Sequence, residues 1–188
     1  MRRLAILALP LLAGCVSLAP REQPTARAVE QNAFWSRLQA LCGRGYTGRL
    51  TEGNASDSTF ARGPLEMRVG PCTADEVRVP FRVGEDRSRT WVFTRSATGL
   101  HLRHDHRGPD GTPEAPTDYG GHARVPGTAA RQEFPADSLT MAMLPQARTN
   151  VWSIDVDPGR LFAYGLRREG TDRRFRVEFD LRRPVATP

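Results

Sequence analysis

Apolar and polar residues alternate along two consecutive segments within residues 87–107, and this pattern predicts a β-hairpin. In the first segment Trp91 and Phe93 share one face of an extended chain, and aromatic residues favour such half-buried surfaces. Residues 96–99, SATG, supply the turn, because glycine readily adopts a positive φ. With a period of two, one face of the second segment carries Leu100, Leu102, His104 and His106. The opposite face carries His101, Arg103, Asp105 and Arg107. The apolar face therefore ends in two imidazoles.

The same alternation recurs along most of the chain and predicts further strands at residues 65–69, 77–83, 152–156, 161–168 and 175–181. Short turn sequences separate many of them, such as Asp157-Pro158-Gly159. Roughly eight to ten strands at short spacing indicate an antiparallel meander. A closed or nearly closed barrel would leave no exposed sheet edge, and a two-sheet sandwich is the alternative.

One helix is predicted at residues 32–42, near the N-terminal end of the domain. Its apolar residues follow the spacing i, i+4, i+7, i+8 of one buried face: Phe34, Leu38, Leu41 and Cys42. Asn32 can cap the start, and Gly43 can end the helix. A helix followed by a meander resembles the architecture of calycin-type barrels. The fold class is therefore mainly β with one N-terminal helix.

The first residues have the pattern of a lipoprotein signal peptide, assigned to residues 1–14. Arg2 and Arg3 precede a short apolar run that ends in Leu-Ala-Gly-Cys, which resembles a bacterial lipobox with Cys15 as the lipidated residue. Val16 in place of aspartate indicates the outer membrane by the same resemblance. Residues 15–29 then form a flexible tether, and residues 30–188 form a single β-rich domain. We expect a periplasm-facing protein anchored to the membrane by lipid.

The two remaining cysteines, Cys42 and Cys72, are an even pair in a protein expected in an oxidising compartment. They most simply form a disulfide. A zinc site is less well supported, because the close CxxC spacing typical of such sites is missing.

All 27 basic residues are arginine, and the formal net charge is +6. The arginines are spread over every strand and turn without a run interleaved with aromatic residues, so the sequence does not favour nucleic acid as a partner. The acidic surface of the envelope is the better electrostatic partner.

Residues 108–121, GPDGTPEAPTDYGG, interrupt the meander and predict a surface loop between His106 and His122. His104, His106 and His122 are candidate metal ligands, because two histidines at i, i+2 project from one strand face and a third can come from a neighbour. The alternative places His104 and His106 at a barrel mouth, bonded to carboxylates. The candidate polar ligands or hydrogen-bond partners are Asp105, Asp110 and Asp118.

Four segments carry a family resemblance: FW..L..LCG from residue 34, GEDRSRTW from 84, LRHDHR from 102 and YGG from 119. Together they resemble a group of uncharacterised secreted proteins and lipoproteins from Gram-negative bacteria. The resemblance spans about residues 30–183 and implies an envelope location and one domain. It implies no activity.

Nucleophile and metalloprotease signatures such as GxSxG, SxxK and HExxH do not occur. We therefore expect a non-enzymatic envelope lipoprotein that binds a small apolar ligand or an envelope protein, with no cofactor. The alternative is a metal-dependent enzyme or metal carrier that uses zinc or another divalent transition metal at the three histidines.

Overall fold

The computed structural model describes residues 25–185, so Cys15 and the predicted signal peptide lie outside the described residues. Ten strands dominate: β1 Gly45–Glu52, β2 Leu65–Arg68, β3 Glu76–Val83, β4 Asp86–Ser96, β5 Gly99–His106, β6 Tyr119–His122, β7 Arg131–Pro135, β8 Asn150–Asp157, β9 Leu161–Arg168 and β10 Arg174–Val185. The α-helices are α1 Ala26–Gln39, α2 Ser58–Arg62 and α3 Ser138–Met143. Two 3₁₀ turns, Ala55–Asp57 and Pro145–Ala147, complete the elements.

All ten strands belong to one antiparallel sheet in the order β6-β5-β4-β3-β2-β1-β10-β9-β8-β7. Neighbours in the sheet are neighbours in sequence, except that β1 pairs with β10. The two edges approach each other, with Gly121 of β6 bridged to Ala136 just after β7. The backbone N–H of Asp137 also donates to the carbonyl of Gly120 at 3.1 Å. The predicted meander and nearly closed barrel are therefore confirmed, and the sandwich alternative is not found.

The predicted hairpin is confirmed as β4 and β5. Trp91 pairs with His104, and Phe93 pairs with Leu102, so these four side chains share the inner face of the sheet. Gly99 has a φ of 113°, as the turn requires. The predicted loop 108–121 ends earlier than expected, because residues from Tyr119 onward pair with β5 as strand β6.

Helix α1 packs across one end of the barrel. Its buried face includes Phe34 and Leu38, and the indole N–H of Trp35 donates to the carbonyl of Ala74 between β2 and β3 at 3.1 Å. The predicted start at Asn32 is wrong. The hydroxyl of Thr25 caps the helix instead, accepting from the N–H of Ala28 at 3.2 Å. The helix therefore includes residues 26–29, which the sequence assigned to the tether.

The disulfide between Cys42 and Cys72 is confirmed. It joins the chain just after α1 to the segment between β2 and β3, at the same end of the barrel. The two cysteines are 30 residues apart, and in the chain-entropy account a loop of this length contributes roughly 3–4 kcal/mol to the free energy of unfolding.

Candidate ligand site at the barrel mouth

A pocket of about 130 Å³ lies at the end of the barrel away from α1. Antiparallel alternation puts the β1–β2, β3–β4, β5–β6, β7–β8 and β9–β10 connections at this end. The β1–β2 connection contributes residues 55–62, here called the cap segment, which contain the 3₁₀ turn and α2. Six aromatic residues line the pocket: Phe60, Phe81, Trp91, Tyr119, Tyr164 and Phe175. We call this region the mouth pocket.

The aromatic rings come from five strands and the cap segment, and most of them contact one another inside the barrel mouth. The Trp91 ring stacks on Tyr164 with centroids 4.5 Å apart and on Phe81 with centroids 4.6 Å apart. Phe60 of the cap segment meets the Phe175 ring edge-on at 4.9 Å. Offset-stacked and edge-on ring contacts contribute to stability in addition to the apolar area that the rings bury. The mouth pocket is therefore lined largely by packed aromatic rings.

The two arginines at the mouth pocket are already paired with carboxylates. Arg89 forms a salt bridge with Asp86, and its guanidinium lies 5.6 Å from the centre of the Phe60 ring. Arg173 donates to both carboxylate oxygens of Asp57, at 2.6 and 2.7 Å. Each positive charge is thereby balanced locally. The contact of Arg89 with the Phe60 ring connects the cap segment to β4, and the Arg173–Asp57 pair connects it to the β9–β10 turn.

His104 lies buried at the bottom of the mouth pocket with both ring nitrogens engaged. Its Nδ1 is 3.0 Å from the carbonyl of Tyr119, and its Nε2 is 2.8 Å from the hydroxyl of Tyr164. A carbonyl can only accept, so Nδ1 carries the proton and Nε2 accepts from the tyrosine. Burial lowers the pKa of His104 to about 3, so the ring is neutral at neutral pH. It serves as an internal hydrogen-bond partner.

His106 is half-buried and lines the mouth pocket nearer the rim. Its Nε2 lies 3.4 Å from the hydroxyl of Tyr119, which is a long hydrogen bond. Burial, together with the charge of Arg89, lowers the pKa of His106. This weakly engaged pair of polar groups is therefore able to bond a hydroxyl in the mouth pocket.

The structure does not bring the three predicted metal ligands together. His122 pairs with His101, and the two rings stack with centroids 3.9 Å apart. Directly paired residues project from the same face, and His101 alternates with His104 along β5. His122 therefore lies on the outer face of the barrel wall, while His104 and His106 face inward.

The predicted carboxylate Asp105 lies on the outer face as well. It forms salt bridges with Arg78 at 2.5 Å and with Arg107 at 2.8 Å. Arg107 was predicted to share this face with Asp105. Asp105 therefore forms an ion-pair ladder on the barrel surface.

Asp110 and Asp118 lie in the loop before β6. Asp110 is exposed and accepts hydrogen bonds from the N–H and hydroxyl of Thr112, while Asp118 lies 3.6 Å from Arg103. Bonds from such carboxylates were the alternative to a metal site at His104 and His106, but the ring nitrogens of His104 bond the Tyr119 carbonyl and the Tyr164 hydroxyl instead. Asp118 contacts His104 through its backbone N–H, which donates to the His104 carbonyl at 2.7 Å.

Sequence reasoning missed Asp57, Arg173 and Tyr164. Tyr164 had a detectable signal, because it falls on an inward position of a predicted strand and carries a hydroxyl that needs a partner. Asp57 and Arg173 had none, because they are distant in sequence and follow no periodic pattern.

No protein-family model matches the chain, and it has no significant match among curated proteins or solved structures. Within residues 25–185 no helix is both long and apolar enough to cross a bilayer. The site is therefore interpreted from its geometry and chemistry.

Proposed function

We propose that the protein is an envelope lipoprotein whose barrel binds a small, uncharged, ring-shaped molecule in the mouth pocket. The observation that carries this proposal is an aromatic pocket inside the barrel in which every charged group already has a partner. Binding sites for small molecules are typically concave, apolar and fitted with a few polar groups, as this one is.

The size of the mouth pocket limits the ligand to about one ring. Its volume is about 130 Å³, whereas drug-sized ligands occupy pockets of roughly 300–1,000 Å³. An apolar cavity of about 150 Å³ is enough to hold benzene. A larger ligand would have to displace Phe60 and the cap segment.

The charges favour a neutral ligand. An anionic ligand would have to displace Asp86 from Arg89 or Asp57 from Arg173. A cationic ligand would have to displace the same arginines from the two carboxylates. The Asp57–Arg173 pair is largely buried, so breaking it leaves an uncompensated charge at high cost, whereas the Asp86–Arg89 pair is more exposed and its loss costs less. His106 and the Tyr119 hydroxyl offer one polar contact, so a ring with a hydroxyl fits better than a bare ring.

The geometry of the histidines favours ligand binding over metal-dependent catalysis. The metal-dependent alternative requires His104, His106 and His122 to converge, and His122 lies on the opposite face of the wall from the other two. His104 also has both nitrogens bonded within the barrel.

Calorimetric titration with phenol, benzene and benzoate tests the proposal. We expect saturable binding of one phenol per chain, weaker binding of benzene and no binding of benzoate. In the variant Leu166→Trp the larger side chain occupies the mouth pocket, so the affinity for phenol should fall by about tenfold or more, equivalent to about 1.4 kcal/mol.

The matched control is Leu139→Trp, which makes the same change at an exposed position on α3. It should leave phenol binding unchanged. Equal affinity in wild type and Leu166→Trp, or no saturable binding of phenol or benzene by wild type, would contradict the proposal.

Membrane anchoring through Cys15 predicts that Cys15→Ser moves the protein from the membrane fraction to the soluble fraction. Each buried CH₂ of an acyl chain contributes about 0.8 kcal/mol, so loss of the modified residue removes the anchor entirely. Fractionation of cell envelopes, with Ser17→Ala as a control that stays in the outer membrane, measures this. A Cys15→Ser protein that still sediments with membranes would refute lipidation at this residue.

A further inference from the structure

A second group of chemically active side chains lies outside the mouth pocket, on the outer wall of the barrel. His101, His122 and Asp137 each offer one ligand atom, and these atoms lie within 4.8 Å of one another. From this arrangement we propose a binding site for a divalent transition metal, with two imidazoles and one carboxylate as protein ligands. We call it the seam site, because it spans the junction of β6 and β7.

The fold brings the three ligands together from separate segments. His101 of β5 and His122 of β6 are directly paired across the two strands. Asp137 follows β7 and caps α3, and its backbone N–H donates to the carbonyl of Gly120 across the seam. An ion held by all three residues therefore connects the two edges of the sheet.

One ligand-atom distance already suits coordination, and the other two lie within 4.8 Å, so His122 has to move. Zinc–nitrogen bonds of 2.0–2.1 Å in a tetrahedral site separate ligand atoms by about 3.3 Å. The Nε2 of His101 already lies 3.4 Å from Oδ2 of Asp137. His122 stacks flat on His101, so its ring has to tilt, and it is exposed and free to do so.

The carboxylate is held in place by groups that do not bind the ion. One oxygen of Asp137 accepts from the N–H of Thr140 at 2.9 Å, and the other accepts from Arg103 at 2.8 Å. Such supporting hydrogen bonds orient metal ligands. Arg103 also adds positive charge, which is offset in part by Asp118 at 3.6 Å. Arg103 therefore weakens metal binding while it positions the carboxylate.

The ligand types select the metal. Imidazole suits zinc, copper, iron and nickel, and a set of two histidines and one carboxylate leaves open positions on the ion. Calcium and magnesium prefer oxygen ligands and should bind poorly. Exposed His122 gives the ion access from solvent.

Metal titration of the protein purified without affinity histidines tests the seam site. Competition with a chromophoric chelator should give one Zn²⁺ per chain, with Co²⁺ and Ni²⁺ binding at the same site and Mg²⁺ not competing. His122→Ala should weaken Zn²⁺ binding at least tenfold without disturbing folding, because this side chain is exposed. Asp137→Asn should also weaken it, whereas Arg103→Gln should strengthen it by freeing the carboxylate.

The control is Arg124→Ala, an exposed change two residues beyond His122, which should bind Zn²⁺ as wild type does. No saturable Zn²⁺, Co²⁺ or Ni²⁺ binding by wild type, or undiminished binding by His122→Ala, would overturn the proposal. Phenol binding in the mouth pocket is a separate readout and should be unchanged in His122→Ala, so the two proposals fail independently.

Discussion

Replacing Gly121 with alanine should prevent normal closure of the barrel and lower the free energy of unfolding by at least about 3 kcal/mol. A Cβ atom at this position would lie 1.8 Å from the carbonyl oxygen of Pro135. Gly120 is similar, since its Cβ would lie 1.9 Å from the carbonyl oxygen of Leu102. Overpacking in cores typically costs about 1–3 kcal/mol when side chains can shift. Here the obstructing atoms belong to backbone, so the strands themselves have to separate.

Urea unfolding of Gly120→Ala and Gly121→Ala measures this effect. Gly159→Ala is the control, because Gly159 lies in the β8–β9 turn with a φ of 71° and no heavy atom within 4 Å of a new Cβ. It should cost about 1–2 kcal/mol, the ordinary penalty for a left-handed residue other than glycine. If Gly121→Ala were as stable as the control, the close contact between β6 and β7 would be wrong. An equally stable Gly120→Ala would contradict the close approach of β5 to β6.

Replacing Asp57 with asparagine should destabilise the protein by about 3–5 kcal/mol, because it leaves Arg173 charged and unpaired. The side chains of Asp57 and Arg173 are only 6% and 20% exposed. Asp57 also accepts from the backbone N–H of Asn54 at 2.9 Å, so it holds the start of the cap segment. The change should therefore loosen residues 55–62 as well.

Urea unfolding and limited proteolysis within the cap segment measure the two effects. Asp157→Asn is the control, since Asp157 pairs with Arg160 and both side chains are largely exposed; exposed pairs contribute little. Replacing Asp57 and Arg173 together with leucine should be less harmful than Asp57→Asn, because no charge is left unpaired. If Asp57→Asn and Asp157→Asn lowered the free energy of unfolding by similar amounts, the buried pair would not be what holds the cap segment in place.

The strands of the barrel could be predicted from sequence because their signal is local and periodic. The alternation in residues 175–181 corresponds to the inward face of β10, and the turn at Gly99 corresponds to the β4–β5 hairpin. The disulfide followed from counting cysteines in an expected oxidising compartment. In each case, adjacent residues or composition carry the information.

Barrel closure and the sites could not be predicted in the same way, because they depend on contacts between distant segments. Gly120 and Gly121 have no periodic signal, although Gly121 allows the backbone of β7 to approach β6 at the seam and Gly120 allows the backbone of β5 to approach β6. Asp57 and Arg173 are 116 residues apart. The face of His122 depends on the register of β6 against β5, which a four-residue strand after a long loop does not reveal.

The resonances of the tryptophan indole N–H groups test the central claim most directly. Trp91 lines the mouth pocket, whereas Trp35 lies at the opposite end, where its indole N–H donates to the carbonyl of Ala74. On titration with phenol, the proposed binding predicts a saturable shift of the Trp91 signal, an unchanged Trp35 signal and no response of Trp91 in Leu166→Trp. A Trp91 signal that stays fixed, or equal shifts at both ends of the barrel, would contradict binding in the mouth pocket.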